Sequence, residues 1–339
     1  SFMANSRNWI VGTLVGIGKP SYQIVDKQYD LVIIDEAGRA SASELAMAMQ
    51  SAKKVVLVGD HLQLPPLYDK KMLSKVARNL ELPLKEVKKT DFERALIATD
   101  GIMLEDQFRM APEIGAIVSK VFYEELFHKK LKTARGDADE KLLSFAKPWN
   151  KVVSWIDTSD KNILENNENK KISNAFEVDL ICKLLINLFK NNEGIYELMD
   201  TWLKVDNGNP PIGIITGYAG QVAAINTKFD TNPEMSRLKK YVRVDTIDAY
   251  QGSENRIIIL SLVRHNVELK TGFMNDISRI NVAISRAKER LIFIGAAKMW
   301  ESENNTDPLA KIYRIIDNKR TEVDPERPNG YQILNSKDI

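Results

Sequence analysis

The sequence holds a single cysteine, Cys182, so intrachain disulfides and cysteine metal clusters are excluded. Cys182 sits in the apolar stripe FEVDLICKLLINLF, where a thiol packs as a small hydrophobe. Histidine is scarce too: His61, His128 and His265 are scattered without metal-ligand spacing. No apolar run approaches the roughly 18–20 residues a membrane helix needs, so no membrane partner is expected. The opening SFMANSRNW has no basic segment followed by an apolar one, the pattern of a secretory signal. A cytoplasmic location, or a nuclear one in a eukaryote, is expected. Neither sign of charge dominates, because 48 basic residues face 46 acidic ones for a net charge of +2. That balance neither demands nor excludes nucleic acid. Lysine pairs are dispersed from Lys53-Lys54 to Lys239-Lys240, and the densest basic group is HKKLK, His128 to Lys132. Each pair alone reads as a solvated face, although several brought together can line a phosphate-tracking groove.

What the sequence does contain is alternation. Strand-like runs are WIVGTLVGI, DLVIID, KVVLVGD, GIMLED, KVVSWID, PIGIITG, YVRVDTI, RIIILSLV and RLIFIGA. Ile257 to Leu260 are apolar at every position, as in central parallel strands covered on both faces. Helical patterns lie between. Ala175 to Phe189 opens with Asn174 as an N-cap and Glu177 three residues on. The stretch DKNILENNENKK, Asp160 to Lys171, reads as a polar loop. The expected fold class is α/β with parallel sheets. Nine strands are many for one sheet of this length. Two α/β domains are therefore expected, residues 1–104 and 105–339, with the boundary near Leu104 to Asp106.

Ligands of open α/β sheets bind beyond the carboxyl ends of the strands, and four of these strands run into polar groups. Asp35-Glu36 follows DLVII, Gly59-Asp60 follows KVVLV, EDQFRM follows GIML, and DAYQGSEN follows VRVDTI. A lone Asp-Glu pair is as readily a cap or a surface pair; four such endings in one chain point to a site. A strand-terminal Asp suits Mg²⁺, which prefers carboxylates plus phosphate oxygens. A neighbouring Glu is placed to accept a proton from a water attacking phosphorus. In GDHLQLPP, Gln63 can orient that water or touch a phosphate oxygen. Planar arginines, Arg109 and Arg286, answer the charge that spreads over phosphoryl oxygens. Arg279 and Arg286 are seven apart in a helical pattern and are expected to share one helix face. Ile280, Ala283, Ile284 and Ala287 would then pack on the sheet.

In order, DEAGRA, GDHLQLPP, QFRMAPEIG, GIITGYAGQV, DTIDAYQGSENRIIILSLVR and RINVAISRAK resemble motifs II to VI of superfamily 1 helicases. The branch is the up-frameshift type, whose members translocate 5′ to 3′; FYEELF and GFMNDISRINVAISRAK match it in detail. The resemblance covers about residues 9–297. It implies two RecA-like parallel-sheet domains of the P-loop NTPase helicase core, with ATP between them and single-stranded DNA or RNA across their top. Carried over by position, Asp35 holds Mg²⁺, Glu36 is the catalytic base and Gln63 senses the γ-phosphate. Phe108 stacks on adenine, Arg109 and Arg286 are arginine fingers, and Gly252 and Glu254 border the phosphates and ribose. Thr13, Pro65, Tyr218, Gln221 and Thr246 fall on the nucleic-acid face.

One family element does not match. The phosphate loop G-x-x-x-x-G-K-[ST] has only a decoy here, GTLVGIGKP, with Thr13 where the first Gly belongs and Pro20 where the Ser or Thr belongs. The first RecA-like domain is therefore expected to be incomplete, its missing N-terminal part supplying the phosphate loop. The main expectation is an ATP-dependent helicase or translocase, inactive as this chain alone. The alternative is a degenerate, non-hydrolytic module that binds nucleic acid or protein. Two smaller departures are Arg39, where the family usually has Gln, and Gly217, where Pro usually precedes Tyr218.

Overall fold

The computed structural model describes residues 7–19, 28–124, 128–161, 163–168, 171–319 and 328–339. Pro20 of the decoy loop, the last three residues of FYEELF, and Lys170 lie outside them. The chain divides into two compact units, Ser1–Met103 and Leu104–Ile339.

In the first unit, strands β1 (Tyr29–Ile34) and β2 (Ala52–Leu57) pair in parallel, Ile33 beside Val56. Side chains alternate across a strand, so Ile34 and its partners face inward. There Ile34 packs with Ala37, Ala40, Leu45, Ala48 and Phe92. Leu45 and Ala48 come from the helix Ala42–Met49, which starts cleanly because Ser41 and Glu44 form a reciprocal capping box. The opposite face of the pair is bare: Leu31 is 47% exposed, Ile33 58% and Val56 45%. WIVGTLVGI, expected as a strand, is irregular chain followed by a one-turn helix, Leu14–Ile17, capped by Thr13. Trp9 and Val11 are exposed, and no described strand pairs with this stretch to satisfy its backbone.

The second unit is built on one six-stranded parallel sheet. After the short β3 (Asp106–Gln107) and β4 (Lys132–Thr133), its strands are β5 (Val153–Asp157), β8 (Ile212–Thr216), β9 (Val242–Thr246), β10 (Asn255–Ser261), β11 (Ala287–Gly295) and β12 (Tyr331–Asn335). The spatial order is β12-β5-β11-β10-β8-β9. Ile257 to Leu260 are wholly buried in its middle, as their unbroken apolar run requires. The helix Ala175–Asn191 covers one face through Ile181, Leu184, Leu185 and Leu188. Its first turn is held by the Asn174 side chain, which accepts from the amides of Phe176 and Glu177.

Three expectations change. GIMLED contributes only its last residue, Asp106, to the two-residue β3, because Ile102 and Leu104 are exposed and unpaired in the sheet. The polar loop Asp160 to Lys171 contributes β6 (Asn166–Glu168), paired antiparallel with β7 (Lys171–Ser173). The helix carrying Arg279 ends at Ile284. Arg286 lies beyond it, where the chain enters β11, so the two arginines sit at opposite ends of this crossover and share no face.

Candidate functional site

In the first unit both expected loops leave the carboxyl ends of adjacent parallel strands. The Ala37 amide donates to the Val58 carbonyl at 2.9 Å, tying the two exits together. Gly38 lies against the Asp60 backbone, where a Cβ would approach the carbonyl oxygen to 2.8 Å. Any larger residue at position 38 would push the loops apart. Glu36 takes a left-handed backbone, φ 54°, which is uncommon outside glycine and marks a conformation held by its surroundings. Asp35 Oδ1 accepts the Glu36 amide at 2.9 Å, and both side chains are exposed. In the second loop Asp60 accepts from the Leu62 amide at 2.9 Å and from Gln63 Nε2 at 3.0 Å. Pro65 is exposed beyond it, and Thr13 is exposed on its own short helix.

The second unit separates its expected residues between two edges of one sheet. Beyond Thr246 the chain turns back along the sheet and reaches the amino end of β10, so Gly252 and Glu254 lie at the amino edge. There Arg109 Nε donates to Glu254 Oε2 at 2.5 Å, and Arg109 Nη1 to the Ser285 carbonyl at 3.3 Å. Gln107 shapes the turn that aims Arg109, accepting the Arg109 and Met110 amides through Oε1. Phe108, next to it, is 72% exposed. Arg286 is buried, donating to the carbonyls of Val282 and Ser253 and so backing the Gly252–Glu254 turn.

Lys288, Asp206, Arg256, Glu289 and Arg135 extend this edge into a chain of ion pairs. Nothing in their local sequence marks them; strand order alone makes them neighbours. Burial works against the Glu254 charge, yet Lys288 and Arg109 together hold its pKa below the ordinary carboxylate value. With Arg109 and Arg286, the edge carries more basic than acidic side chains, which suits a polyanion.

At the carboxyl edge Thr216 and Thr246 are register partners, with Tyr218 just past β8. Gln221, expected on the nucleic-acid face, is instead wholly buried. Its amide accepts from the Asn174 backbone at 2.8 Å and donates to Ser261 Oγ at 2.9 Å. Tyr218 is buried as well, and Thr246 is half-buried. Behind them Glu177 accepts from Ser261 Oγ at 2.6 Å and from the Val263 amide, holding β-branched Val263 at φ 67°. Arg264 pairs with Glu165 at 3.1 Å.

Burial raises the Glu177 pKa to about 8, with Ser261 and the Val263 amide opposing. A carboxyl raised from about 4.5 contributes most stability at low pH and loses it as pH climbs toward 8. Between pH 5 and 8.5 the wild-type melting temperature should therefore fall roughly 5 °C more than that of Glu177→Gln. Thermal melts by circular dichroism across that range check this; parallel curves for the two proteins would remove Glu177 as the cause.

Parallel sheets with paired acids leaving one unit and a basic, ion-paired edge on the other define the α/β class that includes nucleotide-driven motors. Two family models, each described as an AAA domain, match residues 1–71 and 87–298. The chain belongs to the superfamily 1 helicases of the up-frameshift type. It is 30% identical over 290 residues to the ATP-dependent helicase upf1 of Schizosaccharomyces pombe, covering 85% of this chain and 28% of that protein. It is 30% identical over 341 residues to the DNA replication ATP-dependent helicase/nuclease DNA2 of Homo sapiens, covering 94% and 29%. The solved structure of PRRSV helicase aligns with a TM-score of 0.34 at 13% identity, over 78% of this chain and 34% of that one. The chain spans under a third of the length of these two curated relatives. No described helix is long and apolar enough to cross a membrane.

Proposed function

We propose that this chain is the motif II to VI portion of an ATP-driven helicase or translocase acting on single-stranded DNA or RNA. The observation that carries the reading is the amino edge of the second sheet, where Arg109, Glu254 and Arg286 converge around the Gly252–Glu254 turn and Ser285. Three motifs distant in sequence meet there with a surplus of positive charge. Arg109 and Arg286 act as fingers on the γ-phosphate, Phe108 stacks on adenine, and Gly252 and Glu254 border ribose and phosphate. In the first unit Glu36 takes the proton from the attacking water and Gln63 orients that water. Pro65, Thr13 and Thr246 belong to the single-strand path, with the buried Tyr218 and Gln221 ordering it from within.

Mg²⁺ suits the donor set. Among the described residues no three acidic, histidine or cysteine side chains gather as a cage. Asp35 offers an exposed carboxylate at a strand exit, the kind of partial site Mg²⁺ completes with phosphate oxygens and water. Bound there, the ion would neutralise charge on the triphosphate.

The first unit is an incomplete RecA-like domain completed by another segment of the parent protein. Parallel strands are covered on both faces in nearly all α/β proteins, and the bare face of Leu31, Ile33 and Val56 supports this. Without a phosphate loop among these 339 residues, Asp35, Glu36 and Asp60 repel a triphosphate that no loop lysine offsets. The chain alone should bind ATP very weakly and hydrolyse none, with or without oligonucleotide. Titration calorimetry with a non-hydrolysable analogue tests this beside an ATPase assay, and micromolar affinity or strand-stimulated turnover would refute it. The missing loop also keeps a second reading open, a non-hydrolytic binding module. Turnover restored by joining the chain to a family phosphate-loop segment excludes that module.

A further inference from the structure

Phe273 is an exposed aromatic held in a rigid setting. It lies in the 3₁₀ turn Gly272–Asn275, with half its surface open, 48% exposed. Both neighbours are anchored. Met274 is wholly buried. Gly272 has φ 60°, and a Cβ there would meet the Tyr218 hydroxyl at 2.7 Å and Arg264 Nη1 at 2.8 Å. The turn is thus pressed onto the Tyr218–Arg264 pair, and Arg264 is fixed in turn by Glu165. The Phe273 ring sits 6.0 Å from the Tyr218 ring, and the Arg279 guanidinium lies 5.0 Å from its centroid. Arg279 also reaches Asp248 at 3.3 Å, two residues past the end of β9. Phe273 therefore stands near the carboxyl ends of β8 and β9, against Tyr218 just past β8 and, through Arg279, near Asp248 just past β9.

We propose that Phe273 is a stacking platform for an unpaired base of single-stranded nucleic acid. This rests on the helicase reading above and specifies a contact within it. Tyr218, the aromatic expected at this edge, is buried and supports the turn; Phe273 offers the accessible ring. Arg279 is paired with both Asp248 and Asp276, so this corner carries no spare positive charge for a phosphate. A π-face without a phosphate clamp contributes affinity that is tolerant of sequence and insensitive to salt.

The test uses the whole chain and labelled oligo(dT) and oligo(U) at low salt, read by fluorescence anisotropy. Phe273→Ala should weaken binding roughly 5- to 150-fold, the range one base–aromatic stack spans. The slope of affinity against salt and the melting temperature should not change. Phe273→Trp should restore affinity, and its added emission should quench with the same midpoint as the anisotropy. Oligonucleotide binding unaffected by Phe273→Ala, or a Phe273→Trp signal that ignores bound strand, overturns the platform and makes the ring a protein contact. If the wild-type chain binds neither oligonucleotide, the nucleic-acid reading itself fails and the platform falls with it.

Discussion

In a protein carrying these residues together with the family phosphate loop, Glu36→Gln is expected to lower ATP turnover roughly 10²-fold or more. Nucleotide and Mg²⁺ binding should survive. Glutamine has nearly the same shape but cannot take a proton, so the substitution isolates general-base chemistry. The site tolerates the change because Glu36 is exposed and the loop is held elsewhere. The Ala37 amide binds the Val58 carbonyl, and Gly38 packs on Asp60. Its left-handed backbone at φ 54° stores some strain, which glutamine inherits unchanged. Steady-state ATPase rates beside equilibrium nucleotide binding give the answer. Turnover near wild type would remove Glu36 from the role.

A larger effect is expected at the arginines. Arg286→Ala should reduce hydrolysis roughly 10³-fold or more, as loss of a finger that stabilises transition-state charge does. Arg286→Lys should not rescue it, because an ammonium cannot reproduce the planar fork. Arg286 is also buried, so its removal takes a donor from the Val282 carbonyl, which keeps the Ser285 hydroxyl, and from the Ser253 carbonyl, a cost of about 1–3 kcal/mol. Some loss of stability is therefore expected alongside the catalytic one. Arg109 separates the two effects. It is half-exposed and held by Glu254 across 145 residues of sequence, so Arg109→Ala should lose hydrolysis with a smaller change in melting temperature. Full activity in the Arg286→Lys protein would make Arg286 a structural prop of the Ser253 turn. Equal losses of stability and rate in both alanine variants would deny either a direct catalytic part.

Much of the scaffold is legible in the sequence. Ile257 to Leu260 announced a central parallel strand because only a strand covered on both faces is apolar at every position. Asn174 announced a helix start because its side chain fits the orphan amides of the first turn. The misreadings have a common physical cause. WIVGTLVGI has strand-like composition, yet a strand exists only where another backbone is available to pair with it. RINVAISRAK reads as one helix by period, yet the chain leaves the helix at Ile284 to join β10 as β11. Gln221 is expected on the nucleic-acid face, yet Ser261 and Asn174 enclose it.

The residue types, their order and their local capping follow from side-chain chemistry acting over a few neighbours, and the ordered motifs II to VI are of that kind. Which edge of the sheet each motif occupies does not follow from local chemistry. The direction and order of the strands decide it. A chain that leaves the carboxyl end of β9 must cross the sheet to enter β10 in parallel, and that crossing carries Glu254 away from Thr246 and to Arg109. The same long-range pairing builds the ion-pair chain around Lys288 and sets Phe273 near the ends of β8 and β9. Contacts between residues so far apart in sequence arise only when the hydrophobic core closes, and their positions belong to the tertiary structure.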